Sequence, residues 1–208
     1  MHPNPVYHTA NEAENLAFAR DRAFGVLAAA GDSKGDGVPM VSHVPFILSD
    51  DGKTADLHLV RSNPIARALA APLPVRIVVS GPDSYVSPDW YGVSDQVPTW
   101  NYVAVHLTGT LELRPQEELR NLLDRQSALF EARLLPKTPW TTGKMDADAL
   151  AKMMRMILPC RMQVTGVDGT WKLSQNKPDD VRLRAADQMD GFGMGAEFRV
   201  LAALMRGA

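Results

Sequence analysis

A single cysteine, Cys160, stands among 208 residues. Its isolation excludes an internal disulfide and a cysteine-based zinc site, and such scarcity suits a reducing compartment. We therefore expect a cytoplasmic protein with Cys160 as a buried thiol. An excess of one charge is also missing. Lysine and arginine total 22 against 24 acids, and a formal net charge of −2 gives no global attraction to a polyanion such as DNA. No uncharged apolar run approaches the roughly 20 residues that a bilayer demands. Met1-His2-Pro3-Asn4-Pro5 has neither the basic start nor the apolar stretch of a secretory signal, so neither a membrane span nor export is expected. Gly-x-Ser-x-Gly is absent, which removes the nucleophile-elbow hydrolases. Gly191, Gly193 and Gly195 are spaced like part of a dinucleotide fingerprint, but they lie between two helical patterns and read as a hinge.

What is present is ordinary globular usage, 45% hydrophobic and 22% charged, enough for one core. The chain reads as a single domain, 1–208, with a helical tail from about residue 178. Alternation dominates the first half. Residues 25–30 form a short apolar strand, stopped by the glycine-rich loop 31–37. A second strand, 38–48, carries Met40, Val44, Phe46 and Leu48 on one parity. Pro39 and Pro45 fall on the other parity and mark an edge with backbone free to face something else. After the turn at Asp51-Gly52, a strand over 55–60 places Leu57 and Leu59 inward and Asp56 and His58 outward. A further strand spans 75–80 and is closed by Gly81-Pro82. The clearest strand puts Val103, Val105, Leu107, Leu111 and Leu113 on one face.

Helical signals punctuate these strands. Asn63 caps a short helix with Pro64 in its first position. Glu117 and Glu118 open another, with Leu119, Leu122, Leu123 and Phe130 as its stripe, and Asp146 opens a third that runs to Ile157 before Pro159. Asp168-Gly169 reads as a hairpin turn that sets Val164 opposite Leu173. The last helix shows Phe198, Leu201, Ala202 and Met205 on one face. Six or seven strands, short turns and irregularly spaced helices predict an antiparallel barrel with helical additions, mainly β within the α+β class.

Two regions carry candidate chemistry. Arg61, Ser62 and Asn63 bring a guanidinium, a hydroxyl and an amide to a strand end where a helix begins, a pattern suited to an anion. Residues 88–100 hold Trp90, Tyr91 and Trp100 without periodicity, and exposed rings on a loop suit a ligand or a partner. Dimer packing is the alternative for Trp90 and Tyr91. His43, His58 and His106 are a weak metal set, because their spacing fixes no geometry, and no metal is expected.

Five blocks make a resemblance specific. They are Ser42-His43-Val44-Pro45-Phe46, His58-Leu-Val-Arg61-Ser-Asn63-Pro64, Ser84 to Tyr91, Val97 to Tyr102 and Lys172-Leu173-Ser174-Gln175-Asn176. In this order they resemble the PaiB family of FMN-binding negative transcriptional regulators, over residues 42–176. Val60 and Ser62 depart mildly from the family's His-x-Ala-Arg-x-Asn-Pro pattern. The resemblance implies an antiparallel FMN-binding split β-barrel and a homodimer with FMN at the subunit interface. The phosphate would fall on Arg61, Ser62 and Asn63 after the strand that holds His58. Ser42 and His43 would lie along the flavin ring, and the partner chain would contribute Trp100, Asn101, Lys172 and Gln175. The family name implies transcriptional repression, with DNA as a partner that the charge does not support. An FMN-dependent oxidoreductase using NAD(P)H or another small donor is the alternative, and a dimeric interaction module with a degenerate flavin site is a third reading.

Overall fold

The computed structural model describes residues 2–31 and 37–208, so most of the glycine-rich loop over 31–37 lies outside the described residues. Contacts group the chain into two compact units. One holds residues 2–18, 79–106 and 167–208, and the other 19–78 and 107–166.

The second unit contains the barrel. Its strands are β1 (Phe24–Ala29), β2 (Met40–Leu48) and β3 (Thr54–Val60), with residues 73–78 of β4 (Leu73–Val86), 107–113 of β5 (Thr99–Leu113) and 157–166 of β6 (Ile157–Lys172). The closed order is β1-β2-β3-β6-β5-β4, and every register recorded between these strands is antiparallel. The predicted parities hold for Val44, Phe46, Leu48, Leu57, Leu59, Leu107 and Leu111, which are buried, but at the strand ends Leu113 is exposed and Met40 only partly buried; Leu27, Ile77 and Met162 complete the buried set. Burying each such side chain is worth about 1.5–3 kcal/mol. Cys160 is buried as expected, and burial pushes its thiol up to about 12.

Helix α2 (Pro64–Ala68) follows β3, and α3 (Leu119–Glu131) lies on it, burying Leu119 and Leu122. This covering corrects one expectation. Asp56 faces outward from β3 but is buried, because Arg125 of α3 and Arg161 of β6 both reach its carboxylate, at 2.7 and 2.6 Å. A buried charge persists only when paired in this way. Helix α4 (Ala147–Met154) starts at the Asp146 cap as predicted, but it ends before Ile157, which opens β6. Pro159 therefore sits inside a strand, opposite His58, rather than after a helix.

The first unit packs α5 (Asp179–Phe192) and α6 (Phe198–Gly207) with the far ends of three strands. Val86, Tyr91, Val103, Leu173, Val181, Met189, Leu201 and Met205 share its core. Two turn expectations fail here. β4 continues through Gly81-Pro82, and β6 continues through Asp168-Gly169. At both glycines the missing Cβ admits a neighbour. A Cβ on Gly81 would meet the Phe18 ring at 2.5 Å, and one on Gly169 would meet Asn15 Oδ1 at 2.0 Å. These are close-approach glycines rather than turn glycines. Tyr91 likewise belongs to the core, at 2% exposure, and Trp90 packs against it, so neither ring waits on an open loop.

Candidate functional site

The Arg61 cluster lies at the end of β3 in the barrel unit. Asn63 caps α2 by accepting from the Ile65 amide at 2.9 Å, and its Nδ2 donates to Ser42 Oγ at 3.0 Å. The Arg61 guanidinium is exposed and oriented. Its Nε donates to the Arg155 carbonyl at 2.6 Å and its Nη2 to Gln116 Oε1 at 3.0 Å. Arginine carries five donors, so three remain for a ligand, and among the described residues no carboxylate pairs with it. Ser62 is exposed beside it. The helix contributes less than expected. α2 has five residues, Pro64 lacks an N–H, the Ile65 amide is spent on Asn63, and the Arg67 amide bonds to the Asn63 carbonyl. The anion seat therefore rests on side chains.

Beside it, β2 pairs with β1 along Met40–Pro45 but with β3 only over Phe46–Leu48. Its edge before Phe46 is thus open on the β3 side, the backbone freedom that the prolines suggested. His43 is exposed on β2 and stacks on Phe24, with ring centroids 6.2 Å apart. His58 is placed differently, half-buried under α3 and hydrogen-bonded to Gln126. Burial holds it below the usual histidine range, only partly offset by that bond. Among the described residues no three His, Cys, Asp or Glu side chains gather as a metal site.

The remaining expected residues lie in the first unit. Trp100 is the second residue of β5, at 46% exposure. Asn101, next to it, is fully buried, and its Nδ2 donates to Ser174 Oγ at 2.9 Å and to Met205 Sδ at 3.4 Å. Gln175 is committed to its own backbone, accepting from the Leu173 amide and donating to the Trp171 carbonyl. Lys172 donates to Thr99 Oγ1 at 2.5 Å. Asn101 and Lys172 line a cavity of about 220 Å3 with Tyr91, Ser174 and Lys177. Sequence reasoning missed the last two as site residues and took Tyr91 for an exposed ring. Ser174 lies within the Lys172–Asn176 block and Lys177 directly follows it, but only the folded chain brings them to Tyr91 and Asn101.

FMN needs a cation and donors for its phosphate and free backbone for the polar rim of its ring. The unpaired Arg61 fork, the Ser42 and Ser62 hydroxyls, the Asn63 amide and the open β2 edge meet those needs, so the residues present fit the group. The comparisons with known proteins agree. The family model described as "Putative FMN-binding domain" matches residues 1–166. Over 188 residues the chain is 27% identical to the protease synthase and sporulation protein PAI 2 of Bacillus subtilis (strain 168), covering 89% of this chain and 87% of that protein. A solved FAD and heme binding protein from Mycobacterium smegmatis superposes with a TM-score of 0.54 at 19% identity, over 90% of this chain and 80% of that one. Conserved hypothetical protein Rv2991 from Mycobacterium tuberculosis gives 0.56 at 17%, over 83% and 91%. At these identities the two structures speak for the fold alone, and that fold is the split β-barrel.

Proposed function

The chain belongs to the family described as "Putative FMN-binding domain", and from that premise we propose that it is a homodimeric FMN protein with a regulatory role. In this reading Ser42, Arg61, Ser62 and Asn63 hold the flavin phosphate and the open edge of β2 lines the ring. The Arg61 guanidinium carries it: oriented by Arg155 and Gln116, exposed, and unpaired with any carboxylate among the described residues. Such a fork matches two phosphate oxygens at once, and the two hydroxyls and the Asn63 amide add neutral donors. His43 flanks the ring from β2, and Trp100 of the partner subunit covers it, since flat aromatic faces stack well. Bound FMN supplies hydride and one-electron transfer at its ring.

A second copy is supported by apolar surface on the barrel unit. Phe24 is 53% exposed and Val41 60%, on the paired strands that carry His43. An apolar strip of this kind marks an interface more often than a free surface. The regulatory part draws on PAI 2, whose name ties that relative to protease synthesis and sporulation. Direct DNA contact has little support, because Arg114, Arg120, Arg125, Arg161, Arg184 and Arg206 are all engaged with carboxylates.

FMN titrated into the apoprotein should yield flavin absorbance that stays with the protein through gel filtration. Arg61→Ala should weaken binding by about 1.5–3 kcal/mol without unfolding the chain. Unchanged affinity in a folded Arg61→Ala protein rejects the seat. A mobility shift of a promoter fragment would support direct regulation, NAD(P)H oxidation by the holoprotein would favour an oxidoreductase, and absence of any flavin band would leave an interaction module.

A further inference from the structure

The cavity of the first unit contains unanswered chemistry that the flavin seat does not use. Two ammonium groups face it. Lys172 Nζ lies 5.8 Å from the Tyr7 ring centroid and bonds to Thr99, and Lys177 Nζ lies 5.2 Å from the Tyr91 ring centroid and bonds to Gln96. An ammonium has three donors, so each retains two. Neither pairs with a carboxylate among the described residues, although Asp95 also lines the cavity. Burial holds Lys172 below its ordinary range.

Against these cations stands one unpaired acceptor. Asn101 is fully buried and lines the same cavity, yet its Oδ1 has no hydrogen-bond partner. This orientation of the amide also places Nδ2 3.4 Å from Met205 Sδ, a weak acceptor that a turned-over carbonyl would lose as a partner. Ser174 Oγ, 2.9 Å from Nδ2, also bonds to the Tyr91 hydroxyl at 3.0 Å. A buried acceptor without a donor keeps the full cost of its lost hydration, and a native structure retains one where something else answers it.

We infer that this cavity binds a small organic acid that also carries a hydroxyl, with the carboxylate on Lys172 and Lys177 and the hydroxyl donating to Asn101 Oδ1. The volume, about 220 Å3, falls a little below the roughly 300–1,000 Å3 of drug-sized ligand pockets and suits a compact acid. The resemblance assigns Asn101 and Lys172 to a flavin across the interface, whereas Asn101 is wholly buried here and lines this cavity. The acid site uses no residue of the Arg61 cluster and stands apart from the FMN reading.

Calorimetric titration with 4-hydroxybenzoate, in apoprotein and after FMN addition, tests this. Saturable binding is expected, weakened about tenfold or more when benzoate replaces 4-hydroxybenzoate and by a similar factor in Lys172→Met. Lys177→Gln, at a partly exposed position, should also weaken binding while leaving FMN affinity unchanged. Should Lys172→Met fail to fold, Lys177→Gln alone decides. Arg61→Ala should keep its 4-hydroxybenzoate affinity while losing FMN, which separates the two sites. No saturable heat in the millimolar range, equal affinity for benzoate, or equal affinity in a folded Lys177→Gln protein would overturn the assignment.

Discussion

Arg61 illustrates how a surface cation is readied for a ligand. Two hydrogen bonds fix its guanidinium before any phosphate arrives, so less side-chain entropy is lost on binding than for an unanchored arginine. Arg61→Lys should therefore recover only part of the FMN affinity lost in Arg61→Ala, because an ammonium is a point charge without the fork; a fluorescence titration of the three proteins would show it. Trp100 gives a second residue-scale expectation. Its ring is too exposed for truncation to open a large cavity, so Trp100→Ala should shift the apoprotein's thermal midpoint little and weaken FMN binding. A variant that instead loses its fold would assign the ring to packing. Cys160 is the opposite case. With its thiol pushed up to about 12 and its side chain buried, it should resist thiol reagents until the protein is unfolded.

At the scale of elements, Asp56 ties α3 and β6 to β3. Burial alone would raise its pKa, but hydrogen bonds from Arg161 and Arg125 outweigh burial and hold it below the usual value of 3.8. A carboxyl lowered on folding adds stability that is present above its unfolded pKa and lost as pH falls through the folded one. Denaturation of Asp56→Asn should show a loss of about 3 kcal/mol at neutral pH and a flatter acid limb than wild type; an unchanged acid limb would contradict the pairing. The same elements show what local sequence could and could not say. The parity of β5 and of β2 was legible, because alternation records which face meets the core. So were the Asn63 and Asp146 caps, whose side chains satisfy nearby amides. Gly81-Pro82 and Asp168-Gly169 were misread because a glycine that admits Phe18 or Asn15 looks locally like a glycine that turns the chain. The extents of β4 and β6 were thus set by contacts distant in sequence. Most of the Arg61 seat could be read from the contiguous block Arg61-Ser62-Asn63, whereas the acid cavity joins residue 2 to residue 177 and had no single local signature.

For the whole molecule, the contacts group the chain into two units, each assembled from separated stretches that no composition shift marks. The barrel unit carries the proposed flavin seat and the exposed Phe24 and Val41 strip. The account's central claim is that FMN is seated by the Arg61 cluster in a dimer. Its most direct measurement is sedimentation of the protein with a slight excess of FMN, followed at the flavin absorbance band. The account predicts that flavin sediments with a species near twice the 22.8 kDa chain mass, and that Arg61→Ala leaves the protein dimeric with the flavin unbound. Flavin carried tightly by a monomer, or carried equally well by Arg61→Ala, would contradict it.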